Sequence, residues 1–341
     1  MLALWILFLL ATSVIGLIGF AAFSNKKAED LLPPAGKFVQ LGDTRLHYVD
    51  QGQGPAIVMI HGLAGNLQNF TYGLAKPLAQ THRVICVDRP ACGYSKRASN
   101  ADASLEAQAD TIVSLLDHLQ IESAVLVGHS LGGAISLAAA QRHPDKIKAL
   151  ALIAPLTRLP DEPSPVFKPL KISSPTMRSI LGWTLAIPST IFRMSVSLKV
   201  IFGPEKFPSD FAIRGGGILS LKPQTFIGAS GDLQNAEWSM PQIEAAYATM
   251  TTPVHVLFAK EDRAAVMRTS VITAFVVALL IVIDRVAQEW VPYIKSDFVS
   301  GRPIPTVGQV NDQIAMELQE NPNFWTGTLD GLLHIILPTV A

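Results

Sequence analysis

The sequence has little charge for its length. Charged residues make up 16% of the 341 residues and apolar residues 49%, while Lys plus Arg and Asp plus Glu balance at 27 each. A protein that binds nucleic acid through its phosphates normally carries a surplus of basic residues. The balance therefore argues against nucleic acid as a partner. The apolar share indicates a globular core together with a lipid-facing segment.

Cysteine is scarce, and the usual cofactor motifs are missing. Cys86 lies in an apolar stretch and Cys92 in a nearby turn-rich stretch, which favours two free thiols over a disulfide framework. The chain has no Cys/His metal spacing, no H-E-x-x-H, no Walker loop and no G-x-G-x-x-G. We therefore expect neither a metal nor an organic cofactor.

The N-terminal segment is apolar and free of charge as far as Ser24, just before Lys26 and Lys27. At about 1.5 Å per residue, a helix of this length crosses a bilayer. A cleaved signal peptide normally has a basic start and a shorter apolar centre. The sequence thus predicts a single-pass membrane anchor over residues 1–24 and a linker over residues 25–36, with the side of the membrane left open.

Apolar strands and helices alternate over residues 37–156. A hairpin is predicted at 37–49, strands at 56–60, 83–87, 124–127 and 148–153, and helices at 67–80, 104–119 and 131–142. His47 is predicted to be a strand residue that faces solvent. The alternation favours an α/β fold with a mostly parallel sheet and helices on both faces.

The stretch Gly128-His129-Ser130-Leu131-Gly132 follows one predicted strand and precedes a helix. Small residues permit a sharp strand-to-helix turn whose central side chain points over the end of the sheet. The helix directs its free N–H groups toward the same point. Ser130 is therefore predicted to be a nucleophile, with a surface serine in a small-residue turn as the alternative. The His129 side chain is predicted to point into the fold.

A glycine-containing loop over residues 61–66 follows the strand at 56–60. Glycine lets backbone N–H groups approach a ligand closely. We assign the N–H groups of Leu63 and Leu131 as the two donors to an oxyanion. His61 is predicted to shape this loop rather than to transfer protons.

Beyond residue 156 the alternation stops. Residues 157–240 combine prolines, basic residues and apolar stretches, which predicts a helical lid near the bilayer. Residues 241–265 return to a helix and a strand. Thr269–Ile283 is an apolar run that either spans the membrane or completes the core, within a C-terminal segment, 266–341, of uncertain structure.

Residues 37–265 resemble the α/β-hydrolase superfamily, particularly its small bacterial serine esterases and lipase-like members. The resemblance is carried by His61-Gly62, by 88–95, by 128–133 and by 256–262. It implies an α/β-hydrolase fold with a helical lid, Ser130 as nucleophile and Asp262 as the triad acid. Haloalkane dehalogenases and epoxide hydrolases look similar but use an aspartate at the elbow.

Two features depart from the family pattern. Ala91 stands where the family usually has glycine, so either its Cβ strains the loop or the loop is built differently. The C-terminal segment lacks the family's usual ending, and His334 is the only histidine after Asp262. Because Ser130, Asp262 and His334 follow the family's chain order and the other histidines have structural interpretations, His334 is predicted to be the general base.

These features predict a membrane-anchored serine hydrolase that cleaves small or lipid-like carboxylic esters through an acyl-enzyme on Ser130. Two alternatives stay open. One is a membrane interaction protein that keeps the hydrolase fold but has lost its base. The other is a carbon–carbon hydrolase or cofactor-free peroxidase that uses the same triad.

Overall fold

The computed structural model describes residues 1–98, 100–160, 164, 166–202 and 206–257. The strands are β1 (Lys37–Leu41), β2 (Thr44–Gln51), β3 (Ala56–Ile60), β4 (Arg83–Asp88), β5 (Lys96–Arg97), β6 (Ala124–His129), β7 (Ile147–Ile153) and β8 (Val254–Leu257). The α-helices are α1 (Leu2–Leu31), α2 (Gln68–Thr71), α3 (Ala75–Leu78), α4 (Leu105–His118), α5 (Leu131–Arg142), α6 (Pro175–Gly182), α7 (Ala186–Phe202) and α8 (Pro223–Ala245). Short 3₁₀ helices lie at Lys168–Leu170, Gly217–Leu221 and Tyr247–Thr249.

The described strands form one mixed sheet, in the order β1-β2-β4-β3-β6-β7-β8, with β5 paired to β2. The pairings β1–β2 and β2–β4 are antiparallel, whereas β4, β3, β6, β7 and β8 run parallel. The predicted mostly parallel sheet is confirmed. Ile60 of β3 lies opposite Gly128 of β6, so the loops after these two strands leave the sheet at the same edge.

Apolar clusters cover both faces of the sheet. Along β3, Val58 and Ile60 pack into one cluster and Ile57 and Met59 into the other, because successive strand side chains point to opposite faces. The sequence of β3 is a continuous apolar run because a parallel strand that is buried on both faces has no side exposed to solvent.

The helices match the predictions at α4 and differ before it. The Ser104 hydroxyl accepts a hydrogen bond from the Ala107 N–H at 3.1 Å and so caps α4 close to the predicted start. The single helix predicted over 67–80 is instead the two short helices α2 and α3. Pro77 has no N–H to bond the Gly73 carbonyl, and glycine itself disfavours helix, so a continuous helix is interrupted there.

The outer segments are helical where the structure describes them. The helix α1 continues past Ser24 as far as Leu31. The segment after β7 contains α6 and α7, and α8 runs through residue 240 without a break. Thr269–Ile283 lies outside the described residues.

Candidate active site

Ser130 occupies the sharp turn between β6 and α5. Its φ of 51° and ψ of −118° lie in a region that residues with a Cβ rarely adopt. Its N–H donates to the Ile153 carbonyl at 3.0 Å, and its own carbonyl accepts from the N–H groups of Gly133 and Leu156, both at 2.9 Å. These three hydrogen bonds hold the strained turn in place. The residue itself is half-buried, so it is open on one side.

The glycines of the motif are required by close packing. A Cβ on Gly128 would lie 2.6 Å from the Gly132 carbonyl oxygen, and a Cβ on Gly132 would lie 2.0 Å from the Ile60 carbonyl oxygen. Neither contact is tolerable, so α5 begins directly against the ends of β3 and β6. The tight strand–turn–helix geometry predicted from the motif is therefore present.

The loop after β3 lies beside Ser130. A Cβ on Gly62 would lie 3.0 Å from the Ser130 Cβ. Among the described residues, the N–H groups of Leu63 and Leu131 donate to no acceptor. Leu63 follows Gly62 in the loop after β3, and Leu131 follows Ser130 at the start of α5. The two unused N–H donors therefore belong to the two segments that meet beside Ser130. Such donors stabilise an oxyanion when they are fixed in advance.

Arg89 fixes the carbonyls of this loop. Its fully buried guanidinium donates from Nε to the His61 carbonyl at 2.9 Å and from Nη2 to the Gly62 carbonyl at 3.0 Å. Its Nη1 donates to Gln108 Oε1 at 2.7 Å and to Asp232 Oδ2 at 2.6 Å. Asp232 lies on α8 and is fully buried too. The salt bridge therefore joins α8 to the loop beside Ser130, and no sequence motif marks Asp232 for this role.

His61 is a structural residue, as predicted. Its ring is fully buried, with Nδ1 2.8 Å from the Gly62 carbonyl oxygen and Nε2 accepting from the Arg89 N–H at 3.0 Å. Burial, and then the charge of Arg89, hold the pKa of His61 well below its usual value. Both ring nitrogens are occupied, so the imidazole braces the loop in its neutral form.

The prediction that His47 faces solvent is wrong. Its ring is fully buried, with Nδ1 2.7 Å from Asp88 Oδ2 and Nε2 2.6 Å from the Ala35 carbonyl oxygen. The pairing of β2 with β4 places His47 directly opposite Asp88, and Phe38 and Tyr94 pack against the imidazole ring. The alternating pattern of β2 indicates which residues share a face, but it does not show what covers that face.

The prediction that His129 points into the fold is also wrong, because the residue is exposed. A Cβ on Gly128 would point at α5, where it would meet Ser136 Oγ at 2.6 Å. Alternation along β6 therefore turns His129 away from α5, and its Nδ1 lies 3.0 Å from the position of a Cβ on Gly62.

Of the two alternatives at Ala91, the structure shows strain, with a φ of 66°. The helix α8 packs against it closely, since a Cβ on Gly228 would lie 2.4 Å from the Ala91 carbonyl oxygen. Cys92 and Cys86 are both free, as predicted, and the structure shows that both are buried. Among the described residues, no group of three or more His, Cys, Asp or Glu side chains is placed to hold a metal ion.

Two members of the predicted triad, Asp262 and His334, lie outside the described residues. The strand that leads to Asp262 is described as far as Leu257, which lies opposite Ile153 of β7. Because the Ile153 carbonyl accepts the Ser130 N–H, β8 ends close to the elbow.

Comparison with known proteins identifies this architecture. Residues 55–193 match the family model described as alpha/beta hydrolase fold. The chain has the alpha/beta hydrolase fold. An alpha/beta hydrolase fold protein from Burkholderia ambifaria superposes with a TM-score of 0.56 at 22% identity, covering 67% of this chain and 81% of that one. A bacterial membrane phospholipase A superposes with a TM-score of 0.51 at 21% identity, covering 77% of this chain and 82% of that one.

The curated relatives of this chain are named for different reactions. A cis-3-alkyl-4-alkyloxetan-2-one decarboxylase of Shewanella oneidensis is 31% identical over 191 residues, which are 54% of this chain and 57% of that protein. A 2-hydroxymuconate semialdehyde hydrolase of Pseudomonas sp. is 37% identical over 123 residues, which are 36% of this chain and 44% of that protein. The chain thus spans about half the length of these relatives, and the relatives differ in chemistry.

Proposed function

We propose that this chain is a membrane-bound serine hydrolase that cleaves carboxylic esters through an acyl-enzyme on Ser130. The observation that carries the proposal is the strained elbow of Ser130 beside two unused backbone donors. A structural serine gains nothing from a backbone conformation that costs about 1–3 kcal/mol, whereas a nucleophile presented over the sheet edge does.

In the proposed reaction the Ser130 Oγ forms a bond to the ester carbonyl carbon while its proton passes to a histidine, for which we propose His334. The carbonyl oxygen becomes an oxyanion and accepts from the N–H groups of Leu63 and Leu131. The alcohol then leaves with the proton, as Asp262 orients the histidine. Water, deprotonated by the same histidine, attacks the acyl group, and the acid leaves as the proton returns to Ser130.

We propose further that α1 anchors the protein in a membrane. One described helix, over Ala3–Leu31, is long and apolar enough to cross a bilayer. A cleaved signal sequence passes the same test of length and composition. The buried face of α1, formed by Ala21, Ser24 and Ala28, supports an uncleaved anchor, because cleavage beyond it would strip packed side chains from the domain.

A second candidate is hydrolysis of a carbon–carbon bond by the same serine. It is favoured by the similarity to the 2-hydroxymuconate semialdehyde hydrolase, although that similarity covers less than half of the relative. The two reactions differ in substrate and share the nucleophile.

Labelling with a fluorophosphonate probe tests the nucleophile directly. Full-length wild type in detergent is expected to be labelled, Ser130→Ala is expected to lose all labelling, and Ser114→Ala, which alters an exposed hydroxyl on α4, is expected to keep it. A panel of p-nitrophenyl esters and 2-hydroxymuconate semialdehyde then separates the two reactions. A folded wild type without labelling would overturn the proposal and favour a non-catalytic interaction protein.

A further inference from the structure

The helix α1 has two parts with different surroundings. Residues 3–16 are exposed on every face of the helix. From Phe20 onward one face is covered: Ala21, Ser24 and Ala28 are buried, at spacings that place them on one side of the helix. The first part extends away from the domain, and the second part belongs to it.

The second part packs on α7 and on the 3₁₀ helix that precedes α8. Ala21 shares a buried apolar cluster with Ile187 and Leu221, and Phe20 and Ile191 pack against the cluster.

Two polar contacts fix the C-terminal end of α1. Lys222 Nζ lies 2.9 Å from Glu29 Oε1, and the Tyr94 hydroxyl donates to the Leu32 carbonyl. The direction of α1 relative to the domain is therefore set by packing and by these polar contacts.

The exposed part of α1 is too short to cross the hydrocarbon alone. Residues 3–16 rise about 21 Å at ~1.5 Å per residue, against a hydrocarbon thickness of about 30 Å. An anchor that crosses must therefore use the following two turns, as far as Phe23, before the first charged residue at Lys26. Those two turns include Phe20 and Ala21, which pack on α7. The neighbouring part of α7 then lies at the depth of the outer acyl chains.

The outward surface of α6 and α7 suits that depth. Exposed apolar side chains on it include Ile180 of α6 and Phe192 and Val196 of α7, with Val196 59% exposed. The two helices carry the basic residues Arg178, Arg193 and Lys199 and no acidic residue. Arg178 faces α8, where its Nη1 lies 2.8 Å from the position of a Cβ on Gly231, whereas Lys199 is exposed. They meet at a bend of 75°, and together they have the length and apolar composition of a broken span or a re-entrant loop.

We propose that the α6–α7 pair is a second membrane contact, whose exposed apolar face lies in the headgroup–acyl boundary of the leaflet from which α1 emerges. The occupant of this surface is the lipid bilayer. The inference rests on the proposed anchor, since the depth of α7 follows from its packing on α1. Helices in this position bury their apolar face roughly 5–10 Å into the boundary, and basic residues favour anionic lipid.

Fluorescence quenching by lipid tests the depth of each surface in the full chain. Leu10→Cys, Phe192→Cys and Ser114→Cys are each labelled with a polarity-sensitive thiol dye and reconstituted into vesicles of phosphatidylcholine and phosphatidylglycerol. A fraction of the lipid carries a nitroxide near the top of the acyl chain. The native Cys86 and Cys92 do not compete, because both thiols are buried and burial raises the pKa of each.

The expected result is a blue-shifted, strongly quenched dye at residues 10 and 192 and an unquenched dye at 114. An unquenched dye at 192 beside a quenched dye at 10 overturns the inference and leaves the anchor intact. An unquenched dye at 10 overturns the anchor, and the inference with it. Val196→Cys on the same face serves if Phe192→Cys does not fold.

Discussion

Replacing Asp232 by Asn tests whether α8 holds the loop beside Ser130. The substitution keeps the size and one acceptor oxygen of the side chain but removes the charge that faces Arg89 at 2.6 Å and Arg97 at 3.4 Å. Arg89 and Asp232 are both fully buried, so no water replaces the lost carboxylate. Removing one partner of a buried pair typically costs about 3–5 kcal/mol, because the remaining charge is left unpaired.

The loss has a predicted consequence for the reaction as well as for folding. Arg89 donates to the carbonyls of His61 and Gly62, and the N–H of Leu63 follows directly. If the loop loosens, one oxyanion donor is misplaced, and such a donor contributes about 3 kcal/mol, roughly a hundredfold in kcat. In ester hydrolysis, Asp232→Asn should lower kcat far more than it raises KM.

The matched control is Asp110→Asn, which breaks a bidentate contact with Arg142 at 2.7 and 2.8 Å. Both side chains of that pair are more than two-fifths exposed, so solvent screening limits the expected cost to about 1 kcal/mol or less. The thermal unfolding temperature, measured in detergent, should fall by roughly 6–20 °C for Asp232→Asn. It should fall much less for Asp110→Asn. Equal unfolding temperatures for the two variants, or an unchanged kcat in Asp232→Asn, would refute the reasoning.

Three further predictions concern single groups. Ser130→Gly should unfold at a higher temperature than Ser130→Ala, because only glycine relieves the φ of 51° (a net gain of about 1 kcal/mol); a less stable Ser130→Gly would contradict the strain. Cys92, whose pKa burial raises to about 12, should react with a thiol reagent at pH 8 only after denaturation, and reaction of the native protein would show that the site opens. His61, held neutral in the fold, binds its proton more readily when unfolded, so stability should be complete above about pH 6.5 and fall below it by up to about 1.4 kcal/mol per pH unit. Urea unfolding should show a shallower fall in His61→Gln, and identical slopes would exclude His61 as the source.

Much of the fold could be predicted because its signals are local. The strand β3 is a short apolar run. The turn at Ser130 is indicated by glycines, which a close strand–helix contact requires. The two unused donors at Leu63 and Leu131 follow from the same local geometry. Each of these inferences needs only a few neighbouring residues.

The wrong prediction for His47 and the omission of Asp232 arise from contacts between distant parts of the chain. Asp232 pairs with Arg89 across 143 positions of sequence, and His47 meets Asp88 across 41. A buried charge looks the same in a sequence as an exposed one until its partner is known. The solvent-facing prediction for His47 failed for this reason, since period-two alternation says nothing about the residues that pack over a strand.

The contacts of α8 restrict how a substrate reaches Ser130. The start of α8 is held through Lys222, a nearly buried ammonium that contacts Glu29 and lies 4.1 Å from the centre of the Tyr94 ring. Its middle is held through Asp232 and Arg89. Moving α8 as a unit would break both links, and the buried pair alone costs several kcal/mol to separate. The helix α6 also packs on α8, since a Cβ on Gly182 would lie 2.6 Å from the Ile227 side chain. We therefore expect α8 and the loop that it braces to stay in place when a substrate reaches Ser130.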